Sequence, residues 1–264
     1  MDKREFYHRV KQATVAIVME LPNNVPQKSF AIIGSGFCVH PAGIIATSGT
    51  VFRAFFDKRA YREILNELQE TTNPRPIERC YISQQPQVMI FGDSPDGQVF
   101  SSVIGVVEVV AGLGFDITLF KLPEQDTFAS GYPTIEIADI SELHETQEIA
   151  TCGFPLRKGR LDQLNTVSSS FMAGRISSIV PRADVSVSDV RGYRLDLTAT
   201  IGNRGGPVFS LKSGKVFGVL QASVIRRPRI RALDGIARAE PIHPAIEHGV
   251  IQRLIDGTHR PPGL

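Results

Sequence analysis

The sequence predicts an all-β protein, a barrel or a sandwich, and three observations carry that reading. Short runs rich in Val, Ile, Phe and Thr recur along most of the 264 residues. Turn-forming stretches such as HPAG, GDSPDGQ and KSG separate them. The strands do not alternate regularly with helical patterns, as βαβ units would require.

The elements follow in order. The first half offers strands at 13–20, 29–40, 43–47, 86–91, 98–110 and 115–122. The second half offers 133–138, 147–154, 166–180, 193–199, a long pair over 207–223, and 235–242. Two segments read as helices instead. In 53–71, Phe55, Tyr61, Ile64, Leu65 and Leu68 include helical spacings, with charges between them. In 244–257, Pro244 stands early and Gly257 at the end, as helix punctuation predicts. A soft boundary near 124–133 divides the chain into 1–123 and 124–264.

Composition narrows the functional classes. The 29 basic and 27 acidic side chains leave a net charge of +2, which gives no global drive toward nucleic acid or anionic membrane. Cys38, Cys80 and Cys152 are too few and too irregular for a disulfide framework, and Cys38 and Cys152 lie in apolar runs that suit buried thiols. No Cys-x-x-Cys or His-x-x-His spacing supports a metal, and no cofactor is expected. The charged N-terminus MDKREFYHRVKQATVAIVME lacks the apolar core of a secretory signal, and no apolar run approaches a membrane span. The expectation is a cytoplasmic protein without membrane contact.

Three motifs then converge: GSGFCVHPAGIIATSGTV (34–51), GFDITLFKL (114–122) and TIGNRGGPVF (200–209). In order and spacing they resemble the trypsin-like serine proteases of the chymotrypsin fold, and most of all the bacterial Deg-type branch. The resemblance spans roughly 13–250 and implies two six-stranded antiparallel β-barrels, together one trypsin-like unit, with a helical insertion and a C-terminal helix.

The same resemblance implies a degenerate site. The family's first motif ends in a histidine, the general base; here Thr47, Ser48 and Gly49 lead to Thr50. Its aspartate, which orients the histidine, is matched by Asp116. Its serine nucleophile, in Gly-Asn-Ser-Gly-Gly-Pro, is replaced by Arg204, between Gly202-Asn203 and Gly205-Gly206-Pro207. A serine hydroxyl needs a positioned base, threonine cannot accept its proton near neutral pH, and arginine stays protonated. None of Thr50, Asp116 and Arg204 is therefore expected to act catalytically. The turn Gly202, Asn203, Arg204, Gly205 and Gly206, which forms the oxyanion hole in active relatives, has a structural reading: the barrel needs glycines there for φ > 0 and close backbone approach.

Two roles for Arg204 stay open. It could swing into the space an imidazole would fill and pair with Asp116, with Thr50 donating to the same carboxylate, because an unpartnered buried Asp116 would be costly. Alternatively it points outward and holds an anionic ligand. His40, His144, His243 and His248 are not placed by the pattern near residue 204, and read as surface or capping residues.

The expected function is that of a pseudoprotease, an inactive homologue acting by peptide or protein binding. The alternatives are an active hydrolase with a rearranged site built on Ser48 or Thr50, or a regulatory subunit of a larger complex that docks through 53–71 or through the basic loop around 226–231. Arg226, Arg227, Arg229 and Arg231 follow the strand that walls the cleft in active relatives, and suit an acidic protein or peptide partner. Nucleic-acid phosphates would also satisfy those charges, but no interleaved aromatics support base stacking. A solvated basic loop is the plainer reading.

Overall fold

The computed structural model describes residues 3–21, 29–56, 85–93, 99–111, 116–125, 130–154, 157–160, 167–181, 190–221, 237–243 and 250–256. Fourteen strands and three α-helices are defined in these segments. The first sheet is built from β1 (Thr14–Leu21), β2 (Ser29–His40), β3 (Ile44–Ser48), β4 (Gln87–Asp93), β5 (Val99–Gly105), β6 (Glu108–Val110) and β7 (Ile117–Lys121). The second is built from β8 (Glu148–Gly153), β10 (Ser170–Pro181), β11 (Val190–Asp196), β12 (Pro207–Ser210), β13 (Val216–Gln221) and β14 (Ala237–Pro241). It closes as a six-stranded barrel in the order β10-β11-β14-β13-β12-β8. The fold is the trypsin-like double barrel.

The first sheet runs β5-β4-β1-β2-β3-β7-β6. Its two ends, β5 and β6, belong to one stretch of chain that changes partner at a corner. Val106 N–H still donates to Pro86 (3.0 Å), whereas Val107 N–H donates to Lys121 (2.9 Å). The stretch 99–110 is thus one bent strand serving both edges, a usual way of turning a sheet back on itself. Counting it once leaves six strands, with β9 (Arg157–Arg160) added to β2 from the C-terminal half.

Each barrel has its own apolar interior. Val15, Ile17, Ile33, Ile45, Phe55, Val88 and Phe120 fill the first. Ile149, Ile176, Tyr193, Leu195, Val208 and Phe217 fill the second. A third cluster lies between them, with Phe37, Ile44, Ile117, Leu119, Phe209 and Val219. This explains why β3 and β7 are apolar on both faces: Ile45 and Phe120 face the first barrel's interior, while Ile44, Ile117 and Leu119 face the second barrel.

Two helices seal the middle cluster. α1 (Lys3–Ala13), which the strand-dominated pattern did not announce, inserts Phe6 and Val10. α3 (Val250–Ile255), inside the expected C-terminal helix, inserts Val250 and Leu254. Burying each such large side chain contributes about 1.5–3 kcal/mol. No helix among the described residues is long and apolar enough to cross a membrane.

Several expectations change in detail. Of the helix expected over 53–71, Arg53 closes a separate short helix, α2 (Gly49–Arg53), a turn follows to Phe56, and residues 57–71 lie outside the described residues. The strand expected at 133–138 reduces to a single bridge between Ile137 and Val216. Cys38 and Cys152 are free, buried thiols, with burial pushing Cys38 up to about 12. Cys80 lies outside the described residues.

Candidate functional site

The site forms where β3 ends and α2 begins. Ser48 caps α2: its backbone is extended (φ −75°, ψ 137°) and its hydroxyl accepts from Thr50 N–H at 3.1 Å. Gly49 N–H donates to the carbonyl of Asp116 at 2.9 Å, which draws the start of β7 against the cap. A side chain at position 49 would clash here, since its Cβ would stand 2.6 Å from Asp116 Oδ1.

Asp116 is thereby fixed beside α2, with its side chain 26% exposed. Thr50 Oγ1 donates to Asp116 Oδ2 at 2.8 Å. Arg53 Nη2 lies 3.0 Å from Asp116 Oδ1 and also donates to Thr50 Oγ1 at 2.7 Å. The three side chains close a ring in which threonine both donates and accepts. Thr50 and Arg53 meet because they are three residues apart on one helix.

A second set of bonds ties this ring to the other barrel. Gln221, at the end of β13, donates from Nε2 to the Asp116 carbonyl at 2.8 Å. Its Oε1 receives the Ser48 hydroxyl at 2.7 Å, while Ser48 Oγ stands 3.2 Å from Asp116 Oδ2. A hydroxyl has one proton, so the shorter contact to Gln221 takes it.

The cation on Asp116 is therefore Arg53, not the Arg204 envisaged from the motif. Arg204 sits half-buried in a turn that both barrels hold by its backbone. Ser35 N–H donates to the Arg204 carbonyl at 2.8 Å, and Ser35 Oγ donates to the Gly202 carbonyl at 2.8 Å. Gly205 N–H donates to Leu220 at 2.8 Å, and Leu220 N–H donates to Gly206 at 2.9 Å. Asn203 is buried, accepts the Thr200 hydroxyl, and ends a 3-10 turn at Ile201–Asn203.

Gly205 has φ +87°, and a Cβ there would lie 2.1 Å from Ser35 O and 2.4 Å from Thr47 Oγ1. At Gly206 a Cβ would lie 2.3 Å from Cys152 O. The glycines of this turn are required by packing between the barrels, whatever residue stands at position 204.

The remaining candidates are placed as follows. His40 ends β2, and its Nδ1 accepts from Ala42 N–H at 3.2 Å; burial, then Lys121, pull its pKa below the usual value. His144 is exposed and contacts the Glu145 carbonyl at 2.9 Å. His243 is half-buried just after β14. His248 and the arginines Arg226, Arg227, Arg229 and Arg231 lie outside the described residues.

Arg53 and Glu240 were not singled out from sequence for this site, and Gln221 was expected only as part of a strand lining the cleft, not as a partner of Asp116. Only Arg53 carried a readable signal, its i+3 spacing from Thr50 in a helical segment. Glu240, on β14 opposite Val219, is held above its usual pKa by burial and next by repulsion from Asp116, while Arg191 and Arg238 pull it down.

A double barrel with this cap, aspartate and glycine turn is a trypsin-like architecture, and the family comparison agrees. The trypsin-like peptidase domain model matches residues 34–219, so the chain belongs to that family. Among solved structures, the chain is similar to Deg5, with 16% identity and a TM-score of 0.54 over 97% of this chain and 98% of that one. It is similar to a variant of the HtrA-type protease AlgW with decapeptide, with 15% identity and a TM-score of 0.58 over 98% of this chain and 68% of that one. It is also similar to the MamO protease domain from Magnetospirillum magneticum in its apo form, with 16% identity and a TM-score of 0.54 over 92% and 98%. At these identities the likeness establishes the fold alone. No curated protein matches the chain by sequence.

Proposed function

We propose that this chain is a non-cleaving member of the trypsin-like peptidase family, which binds a protein or peptide segment rather than hydrolysing one. The observation that carries this reading is the ring of Thr50, Arg53 and Asp116 at the place where the family resemblance puts the catalytic base. A nucleophile needs a proton acceptor poised near neutral pH. Thr50 spends its proton on the carboxylate, and a permanent cation occupies the other carboxylate oxygen. Ser48, the nearest spare hydroxyl, gives its proton to an amide oxygen, which is no base.

Binding without cleavage asks less of the molecule. The two barrels still hold the glycine turn and the end of β13 together, and an extended peptide laid against them would be held through backbone hydrogen bonds. We place this protein in the cytoplasm on the strength of its buried free thiols, Cys38 and Cys152, which need no oxidising compartment.

The test is digestion of an unbiased peptide library read by mass spectrometry, with Asp116→Ala and Arg204→Ala as controls. No cleavage above the buffer blank is expected. Reproducible cleavage by the parent protein, lost in either variant, would overturn the proposal.

A further inference from the structure

The outer face of the second barrel carries two neighbouring rows of side chains with different charge order. In one row, Glu148, Arg175 and Asp196 are direct partners across β8, β10 and β11, and Arg175 Nη2 lies 3.4 Å from Glu148 Oε1. Acid, base and acid alternate, as cross-strand pairing favours. In the next row, Ser178, Arg194, Arg238 and Gln221 are direct partners across β10, β11, β14 and β13. Here two exposed arginines stand opposite each other between neutral residues. Like charges in direct opposition destabilise a sheet.

That repulsion is only partly offset among the described residues. Among the described residues, neither Arg194 nor Arg238 makes an ion pair. Asp196 faces Arg175. Glu240, two residues from Arg238, is half-buried and shares its field with the exposed Arg191 as well. Arg191 and Arg238 thus share one partly buried carboxylate, and Arg194 has no part in it. At its inner end the row reaches Gln221, the residue bonded to Ser48 and Asp116.

We infer that the row of Arg194 and Arg238, with Arg191 beside it, is the docking strip for an acidic polypeptide segment that continues outward from Gln221. The inference rests on the peptide-binding reading and names the partner's chemistry. Two guanidinium groups on adjacent strands can hold one carboxylate between them by charge-assisted hydrogen bonds. Nucleic acid is disfavoured because the row holds no aromatic side chain on which a base could stack.

The test is fluorescence anisotropy with a dye-labelled peptide alternating glutamate and alanine, beside glutamine–alanine and lysine–alanine counterparts and a labelled RNA oligonucleotide. The glutamate peptide should bind best, more weakly as salt rises, with affinity reduced roughly tenfold or more in Arg194→Ala/Arg238→Ala. Arg175→Ala should leave it unchanged. Equal binding of the glutamine peptide, undiminished affinity in the double variant, or binding of the RNA alone would each overturn the inference. Capture from a random peptide pool separates it from the parent reading. Captured peptides without acidic enrichment would sink the strip and spare peptide binding, whereas capture of nothing would sink both.

Discussion

Thr50 Oγ1 donates a 2.8 Å hydrogen bond to Asp116 Oδ2, and the same oxygen accepts from the Arg53 guanidinium at 2.7 Å. One hydroxyl is thus both ends of a bridge between a carboxylate and a cation. A shared atom makes the two contacts depend on each other.

That dependence is measurable. Arg53 is 55% exposed and Asp116 26%, so solvent screening limits the ion pair. Arg53→Ala should cost about 0.5–1 kcal/mol in urea denaturation. Combined with Thr50→Val it should depart from additivity by about 0.5 kcal/mol or more, because each change removes a partner of the other. Additive losses would mean that the ring does not act as a unit.

The glycine turn gives a second expectation. Gly205→Ala should destabilise the fold by about 3 kcal/mol or more, since the left-handed backbone and the contact with Ser35 O admit no methyl group. Arg204→Ser should cost less, because the bonds from Ser35 to this turn are received by backbone carbonyls of Arg204 and Gly202. It should also stay unlabelled by a fluorophosphonate probe, since a serine without a base is about 10⁶-fold impaired. Thermal denaturation and gel fluorescence read the two outcomes.

Glu240 sets a pH dependence. Its folded pKa is raised above the ordinary 4.5, by burial first and by Asp116 second. A raised pKa means that the fold prefers the protonated acid. Its contribution is fully present below the unfolded pKa and is lost as pH rises through the folded value. Glu240→Gln should therefore raise Tm at neutral pH, and the gain should shrink to nothing as pH falls below the ordinary glutamate range. A gain independent of pH would assign the effect to packing.

Much of the fold was legible because period-two apolar runs and turn residues are local signals. The bent strand at 98–110 was visible as one run, but its change of partner at Val106 and Val107 was not, since a corner is made by which neighbour lies opposite. The helix α1 escaped notice for a related reason: its anchors Phe6, Val10 and Ala13 lie in a short charged segment, and their burial depends on the cluster between the barrels. At the site, Thr50 and Asp116 were identifiable from the motifs they sit in. Gln221 was not identifiable as their partner, because it reaches Asp116 across 105 positions of chain.

By itself the sequence determined which chemical groups stand at the three motif positions: a threonine, a carboxylate and an arginine, in a turn that demands glycine. Those identities belong to the chain itself, whereas the demand for glycine also comes from the close approach of Ser35 O and Cys152 O in the folded structure. Only the tertiary structure decided which cation meets Asp116. Both Arg53 and Arg204 have the charge, but pairing depends on where the backbone starts each side chain. One turn of helix carries Arg53 to the carboxylate beside Thr50, while hydrogen bonds from both barrels hold the Arg204 backbone in the glycine turn.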